Sequence, residues 1–144
     1  MYRLNVRAIL LTVGVLATGA CSNDTLSSLT TPTTPLTFTD TFTGTLSRNG
    51  SFTHSFTTAS LGAVSASIVS LQPTSTQIVG LSLGVWNGSA CSTSPATGGS
   101  SSDIATTGSA ITLNATAAGS LCVRLYDVGF INDPVLYTLQ VTHP

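Results

Sequence analysis

Segments in which apolar and polar residues alternate fill most of the chain from Leu36 onward. Alternation with a period of two residues is typical of a β-strand with one buried face. The clearest segment covers residues 119–127, where three apolar positions alternate with Cys122, Arg124 and Tyr126. Glycine-containing turns are predicted on both sides of it. This segment is therefore predicted to be a strand whose two faces serve different purposes.

Similar alternation predicts further strands at residues 36–46, 52–57, 61–71, 79–85, 110–115 and 135–142, and a weak strand near Ile104. In the first of these, one face is apolar and the other is a row of threonines. The apolar phase changes at Val69, which predicts a bulge or burial of both faces. Asn49-Gly50 is a sequence typical of hairpin turns. Residues 89–103 are predicted to be a mobile loop, fixed only at Cys91.

The number and spacing of these segments indicate the fold class. Turn signals recur at intervals of about 8 to 15 residues, and no helical periodicity is present. We therefore predict an all-β protein, an antiparallel β-sandwich of the jelly-roll or immunoglobulin-like kind with about seven or eight strands.

Composition supports this prediction. Only 6% of the residues are charged, and the chain contains neither Lys nor Glu, whereas ordinary soluble domains are about one-quarter charged. Helices in water draw heavily on Lys, Glu and similar residues. The polar surface must instead come from Ser and Thr, and threonine is favoured in strands.

Residues 1–21 are predicted to be a targeting segment. Two arginines precede an apolar run, Ala8–Ala17, which is too short to span a bilayer comfortably. The following Thr18-Gly-Ala-Cys21 resembles the lipobox of bacterial lipoproteins, in which the cysteine is lipidated and becomes the mature N-terminus, although Leu is usual where this chain has Thr18. The resemblance implies a lipid anchor at Cys21. The alternative is an ordinary secretory signal cut near Ala20, which would leave Cys21 as a free thiol.

Residues 22–35 are rich in Ser, Thr and Pro and are predicted to be a tether that holds a domain of residues 36–144 away from the membrane. Ser22, directly after the cysteine, is similar to the outer-membrane sorting pattern of some Gram-negative bacteria. We therefore expect the outer membrane or cell surface rather than the inner membrane. Without the targeting segment, two arginines and five aspartates remain. No basic patch is left, which argues against nucleic acid and anionic lipid headgroups as partners.

Three cysteines in an exported chain leave one unpaired. If Cys21 carries lipid, the remaining pair, Cys91 and Cys122, can form a disulfide in an oxidising compartment. The alternative is two buried or free thiols. Without histidines at ligand spacing, two lone cysteines are not expected to bind a metal.

From about Thr41 to Thr142 the chain resembles the bacterial pre-peptidase C-terminal domain, a small β-sandwich attached to secreted enzymes and surface proteins. The matching pieces are Gly44-x-Leu46, His54-Ser-Phe56-Thr57, Leu81-x-Leu83-x-Val85, Ala118-Gly119, Cys122-Val-Arg-Leu125 and Tyr137-Thr-Leu139-x-Val141. The chain departs from the family at Cys122, where an aromatic residue is common. The resemblance implies a non-catalytic domain, and some related modules bind calcium or polymeric substrates.

No catalytic residues are predicted. The chain lacks a G-x-S-x-G turn, and its aspartates are scattered among predicted turns. His54 lies in phase with Phe52 and Phe56, so we interpret it as a partly buried strand residue rather than a general base. His143 lies at the end of the chain, where we expect fraying. The protein is therefore predicted not to be an enzyme.

Two groups of residues are candidate binding sites. Trp86 and Tyr126 could form a pair that stacks on a sugar ring, or they could be core or edge aromatics. Asp127, Asn132 and Asp133 flank one loop and could hold Ca²⁺ together with backbone carbonyls, but turn formation is the favoured interpretation. No other cofactor is predicted.

These features together predict a non-catalytic lipoprotein module of the bacterial cell envelope. It would be held to the membrane through Cys21 and would have a binding or spacing role in the envelope. Its partner would be a polysaccharide or an envelope protein. The alternative is a structural or assembly protein of the cell surface, because flat threonine-lined strands can pair edge to edge.

Overall fold

A computed structural model describes residues 36–144, which belong to one compact unit, Thr34–Pro144. The predicted signal peptide (1–21), its Cys21 and the predicted tether (22–35) lie outside the described residues. The unit is all-β. Its strands are β1 (Phe38–Leu46), β2 (Ser51–Thr58), β3 (Gly62–Gln72), β4 (Val79–Trp86), β5 (Cys91–Ser92), β6 (Ser100–Ala105), β7 (Ala110–Ala115), β8 (Gly119–Tyr126) and β9 (Val135–His143). A single-turn 3₁₀ helix, Pro95–Thr97, lies between β5 and β6.

The strands form two antiparallel sheets. The first sheet has the order β1-β9-β3-β7. The second has the order β2-β8-β4-β5, and β6 also pairs with β4. In the first sheet, β1 pairs with β9 from Phe38 opposite His143 to Leu46 opposite Val135. In the second, β2 pairs with β8 from Ser51 opposite Tyr126 to Thr58 opposite Gly119.

Both sheets contribute to a single hydrophobic core. Most apolar positions of the alternating pattern are buried, because most strands turn one face inward. Phe38, Phe52 and Val85 are exceptions, with 48%, 44% and 41% of their surface exposed, and β4 is buried on both faces as far as Gly84. The first sheet supplies fully buried residues such as Leu46, Ile68 and Leu139, and the second supplies Leu81 and Leu125. The opposite face of β1 is the predicted row of exposed threonines. Within residues 36–144, no helix has the length and apolar character needed to cross a membrane.

The turn at Asn49-Gly50 forms, but it does not make the hairpin that its sequence suggests. The Gly50 N–H donates to the carbonyl of Ser47 at 2.9 Å, and Asn49 has a positive φ of 55°. However, β1 pairs with β9 and β2 pairs with β8, so the turn carries the chain from one sheet to the other. Whether β1 and β2 pair with each other thus depends on competing strands that are distant in the sequence, and not on the turn alone.

The predicted irregularity in the third segment is a bulge in β3. The pairing of β3 with β9 shifts between Ile68 and Ser70, which leaves Val69 unpaired. Val69 is 45% exposed, whereas Leu71 is 2% exposed. The extra residue at the bulge shifts the alternation by one position, so that Leu71 points into the core.

The prediction of a mobile loop at residues 89–103 is wrong, and the described part of the chain, residues 36–144, has nine strands rather than about seven or eight. This segment contains β5, the 3₁₀ helix and most of β6, and the predicted weak strand near Ile104 is part of β6. Its serines do not resemble a buried strand, but β4 offers a second unpaired edge to which both β5 and β6 bind. Main-chain pairing with that edge and the Cys91–Cys122 disulfide together hold the segment in place.

Candidate binding groove

A groove of about 650 Å³ opens at one end of the two sheets, where β4 and β7 end and β8 begins. Its apolar lining includes the nearly buried Leu113, Ala115 and Leu121. Trp86 and the 3₁₀ helix line it together with the loop that joins β7 to β8. The groove volume falls within the roughly 300–1,000 Å³ typical of ligand sites.

Local sequence determines how Trp86 is placed. The strand ends there because Asn87 begins a turn in which its side-chain oxygen accepts hydrogen bonds from the N–H groups of Ser89 and Ala90. Gly88 adopts a positive φ of 96° in this turn. The chain then reverses, so that Cys91 pairs directly with Trp86. Trp86 is half-buried at the rim.

The groove is electrically neutral. None of its lining residues is charged, and the side chains that can form hydrogen bonds there are those of Trp86, Thr97, Asn114, Thr116 and Ser120. Such a surface combines an indole ring with hydroxyl and amide groups, which suits a neutral ligand that has both apolar and hydroxyl-bearing faces. The lining contains no side chain that could act as a general acid or base near neutral pH.

A disulfide between Cys91 and Cys122 braces the wall of this groove. Cys122 lies on β8 opposite Gly84 of β4, on the face that points away from the core, yet it is fully buried. The cover is the segment that follows Cys91. Its backbone at Ser92 and Thr93 lies so close to Gly84 that a side chain at position 84 would collide with it. The groove-lining 3₁₀ helix belongs to the same segment.

The structure does not bring Trp86 and Tyr126 together. Tyr126 pairs with Gly80, six residues before Trp86 on β4, which corresponds to roughly 20 Å along the strand. Its hydroxyl donates to Asp103, and the guanidinium carbon of Arg124 lies 5.1 Å from its ring centroid. Burial, followed by the bond to Asp103 and the charge of that residue, raises the pKa of Tyr126 to about 12. Tyr126 therefore belongs to a separate surface cluster.

Asp127 organises the loop between β8 and β9. One carboxylate oxygen accepts hydrogen bonds from the N–H groups of Gly129, Phe130 and Ile131, and the other accepts from Asn49 N–H at 2.8 Å. Partial burial alone would raise the pKa of Asp127, but these four N–H donors outweigh it and lower the pKa below its ordinary value. Both oxygens are thus engaged in holding two turns together.

The other two candidate calcium ligands are exposed. Asn132 and Asp133 border a shallow pocket of about 140 Å³ with Pro73 and Thr74. Among residues 36–144, no group of three or more His, Cys, Asp and Glu side chains is arranged to hold a metal ion. The contacts of Asp127 are those expected of a turn-forming aspartate.

The two histidines occupy the side of the molecule where β1 and β2 lie. His54 Nε2 and the Tyr137 hydroxyl are 2.9 Å apart, and Phe42 stacks on the imidazole with ring centroids 4.7 Å apart. Burial lowers the pKa of His54 below 6.5. His54 is half-buried in β2, as its phase predicts.

Sequence reasoning missed the role of His143. The structure buries it at the end of β9, 3.2 Å from the carboxylate of Asp40 and against the rings of Phe38 and Phe56. The prediction that this end of the chain frays is therefore wrong. The strand alternation that continues through Val141 was the available signal, since it places His143 in the buried phase.

No protein-family model matches the chain, and no curated protein matches its sequence.

Proposed function

We propose that this protein is a non-catalytic module of the bacterial cell envelope that binds neutral polysaccharide in the Trp86 groove. In this proposal the two sheets form a β-sandwich of the jelly-roll or immunoglobulin-like kind, held to the membrane by a lipid on Cys21 and a tether of residues 22–35. The resemblance to the pre-peptidase C-terminal domain supports a module of this type.

The observation that carries the proposal is the uncharged groove with an indole ring at its rim. An aromatic face binds the apolar side of a sugar ring, and neighbouring hydroxyl and amide groups can bind its hydroxyls. The groove offers no cation for a phosphate or carboxylate and no carboxylate for a cationic ligand. A neutral sugar polymer therefore fits better than a charged one.

Two features support the proposed compartment. The Cys91–Cys122 disulfide is of a kind that persists in oxidising environments outside the cytoplasm. The sequence Thr18-Gly-Ala-Cys21 is similar to a lipobox, and lipidation there would account for the third cysteine.

The test is retention on insoluble polysaccharides and peptidoglycan, with and without Ca²⁺. The test protein is the full chain secreted from a bacterial host, with Cys21→Ser so that no lipid is attached. We expect retention on at least one neutral polymer. We also expect a loss of about tenfold or more in affinity for Trp86→Ala, because removal of an important tryptophan contact costs about 2 kcal/mol or more and a tenfold loss corresponds to about 1.4 kcal/mol.

Phe130→Ala is the matched control for Trp86→Ala. Phe130 is 58% exposed and does not line the groove, so its removal should leave retention unchanged. Equal retention of Trp86→Ala and the unsubstituted chain would contradict the proposal. Retention that depends on Ca²⁺ would point instead to the Asp127–Asp133 loop.

A structural or assembly role is the second candidate. The observation that favours it is the long, almost uncharged β1 at the edge of the first sheet. Such an edge can pair with another chain unless it is protected.

A further inference from the structure

The first sheet ends at β1, and among residues 36–144 no strand pairs with the outer edge of β1. Natural sheet edges are commonly protected by Pro, Lys, bulges or very short strands. β1 has nine residues, no Pro, no Lys and an unbroken register with β9. Its single charge, Asp40, is on the inward face, where a charge can also protect an edge. Here its carboxylate lies 3.2 Å from His143 Nε2 of the same chain, so it already has a partner.

We propose that β1 pairs antiparallel with β1 of a second copy of this chain, about a two-fold axis at Phe42. The inference deepens the assembly role proposed above by naming its partner and its register. It would join the first sheets of two copies into one continuous sheet of eight strands. It does not depend on polysaccharide binding.

The sequence of β1 is self-complementary in this register. A two-fold axis at Phe42 places Thr41 opposite Thr43 and Thr39 opposite Thr45, so that hydroxyl-bearing side chains face each other on the exposed side. Pairs of threonines across strands stabilise antiparallel sheets. The same face already carries such a pair within one chain, where the Oγ1 atoms of Thr39 and Thr142 are 3.2 Å apart.

Charge also favours this register. Asp40 faces Gly44 of the other copy, so no two like charges lie opposite each other. The two Asp40 residues are offset by four positions, roughly 13 Å along the strands. That separation exceeds the screening length of about 8 Å at physiological salt.

The other edges are shorter. β5, β6 and β7 have two, six and six residues. β2 has eight residues, one fewer than β1, and each of these two edges exposes one aromatic side chain, Phe52 at 44% in β2 and Phe38 at 48% in β1. β2 therefore serves as the control edge, since it is long, uncharged and on the same side of the molecule as β1.

The experiment measures the mass of the secreted full chain carrying Cys21→Ser, by size-exclusion chromatography with light scattering from micromolar to millimolar concentration. We expect the mass of two chains at the upper end. The double substitution Thr41→Lys, Thr43→Lys places like charges opposite each other in both central pairs and should give the mass of one chain. The double substitution Thr41→Lys, Thr43→Glu places opposite charges there and should retain the two-chain mass.

Thr53→Lys, Ser55→Lys on β2 is the matched control and should leave the two-chain mass unchanged, because both residues are exposed on the other long edge. Circular dichroism of every variant verifies folding. A one-chain mass at millimolar concentration, or a two-chain mass of Thr41→Lys, Thr43→Lys, would overturn the proposal. The proposal would also be overturned if the β2 variant Thr53→Lys, Ser55→Lys had the mass of one chain. The same holds if Thr41→Lys, Thr43→Glu had the mass of one chain.

Polysaccharide retention of the same variants separates the two proposals. Thr41 and Thr43 do not line the Trp86 groove, so a monomeric Thr41→Lys, Thr43→Lys variant should still bind the polymer. Loss of retention in Trp86→Ala with an unchanged two-chain mass would support both proposals independently.

Discussion

The two sides of this molecule are held together in different ways. On one side, which we call the groove side, β5, the 3₁₀ helix, β6 and β7 are short. There a disulfide joins β5 to β8, and Ser92 and Thr93 pack closely over Gly84. On the other, the edge side, β1 and β2 have nine and eight residues and contact each other through stacked rings such as Phe42 and His54.

The difference shows that a segment can be held in place either by a long paired strand or by a covalent cross-link. A two-residue strand such as β5 gains little from main-chain pairing, so the covalent bond at Cys91 carries much of the order in its segment. β1 has nine paired positions with β9 and needs no such bond. We therefore expect covalent and backbone changes to act on the groove side and pH to act on the edge side.

The largest effect is expected from Cys91→Ala, Cys122→Ala. The disulfide closes a loop with a sequence separation of 31 residues, for which the chain-entropy estimate is about 3–4 kcal/mol of stability. Denaturant unfolding should show a decrease of this size. Hydrogen exchange should speed up most in residues 92–99, because this segment loses its tie to β8.

The same variant tests the comparison directly. If β1 and β2 lost as much protection from hydrogen exchange as residues 92–99, the two sides would form one cooperative unit. The two sides would then not be stabilised separately.

A smaller effect is expected from Gly84→Ala. The new methyl group would meet the backbone of Ser92 and Thr93, and this backbone cannot move freely because the neighbouring Cys91 is cross-linked. Crowding of this kind typically costs about 1–3 kcal/mol, measurable as a lower midpoint of denaturant unfolding.

Gly119→Ala is the matched control, since a methyl group there has no neighbour within 4 Å and Gly119 also lies in a strand of the second sheet. Equal destabilisation by the two substitutions would show that the close approach at Gly84 has no energetic importance.

The smallest effect is expected from His54→Gln on the edge side. Burial lowers the pKa of His54 below 6.5 in the folded protein, so the unfolded chain binds more protons just below that pH. Stability contributed by neutral His54 is therefore present above about pH 6.5 and is lost as the pH falls. The variant should show a shallower fall in Tm between pH 7 and pH 5, because Gln can still bond to the Tyr137 hydroxyl but does not titrate.

An identical pH dependence of Tm in the variant and the unsubstituted chain would show that His54 does not contribute to it.

Much of the fold was predictable because its signal is local. Alternation identified β1, β4, β8 and β9 as strands, and in β9 it also identified the buried face. The shift at Val69 identified the bulge. The Asn49-Gly50 turn shows the limit of such signals. Its conformation is local, but the sheet that each flanking strand joins depends on pairing with β8 and β9, far along the chain.

The sites were less predictable because they combine distant residues. Trp86 stood out as the single tryptophan, but its groove also needs the 3₁₀ helix and the loop after β7. Nothing in the serine-rich sequence of residues 92–102 indicated that it would fold against β4. Likewise, Asp40 and His143 are 103 residues apart in the sequence, so their contact could not be predicted from the residues around either one.

The scarcity of charge also bears on the setting in which the molecule can work. The Trp86 groove has no charged lining residue, and β1 has only Asp40. Raising the ionic strength weakens attractions between exposed charges, and neither surface relies on them. Excluded salts such as sulfate strengthen apolar burial. Both the groove and the strand edge should therefore keep their affinities in brine as well as in dilute medium.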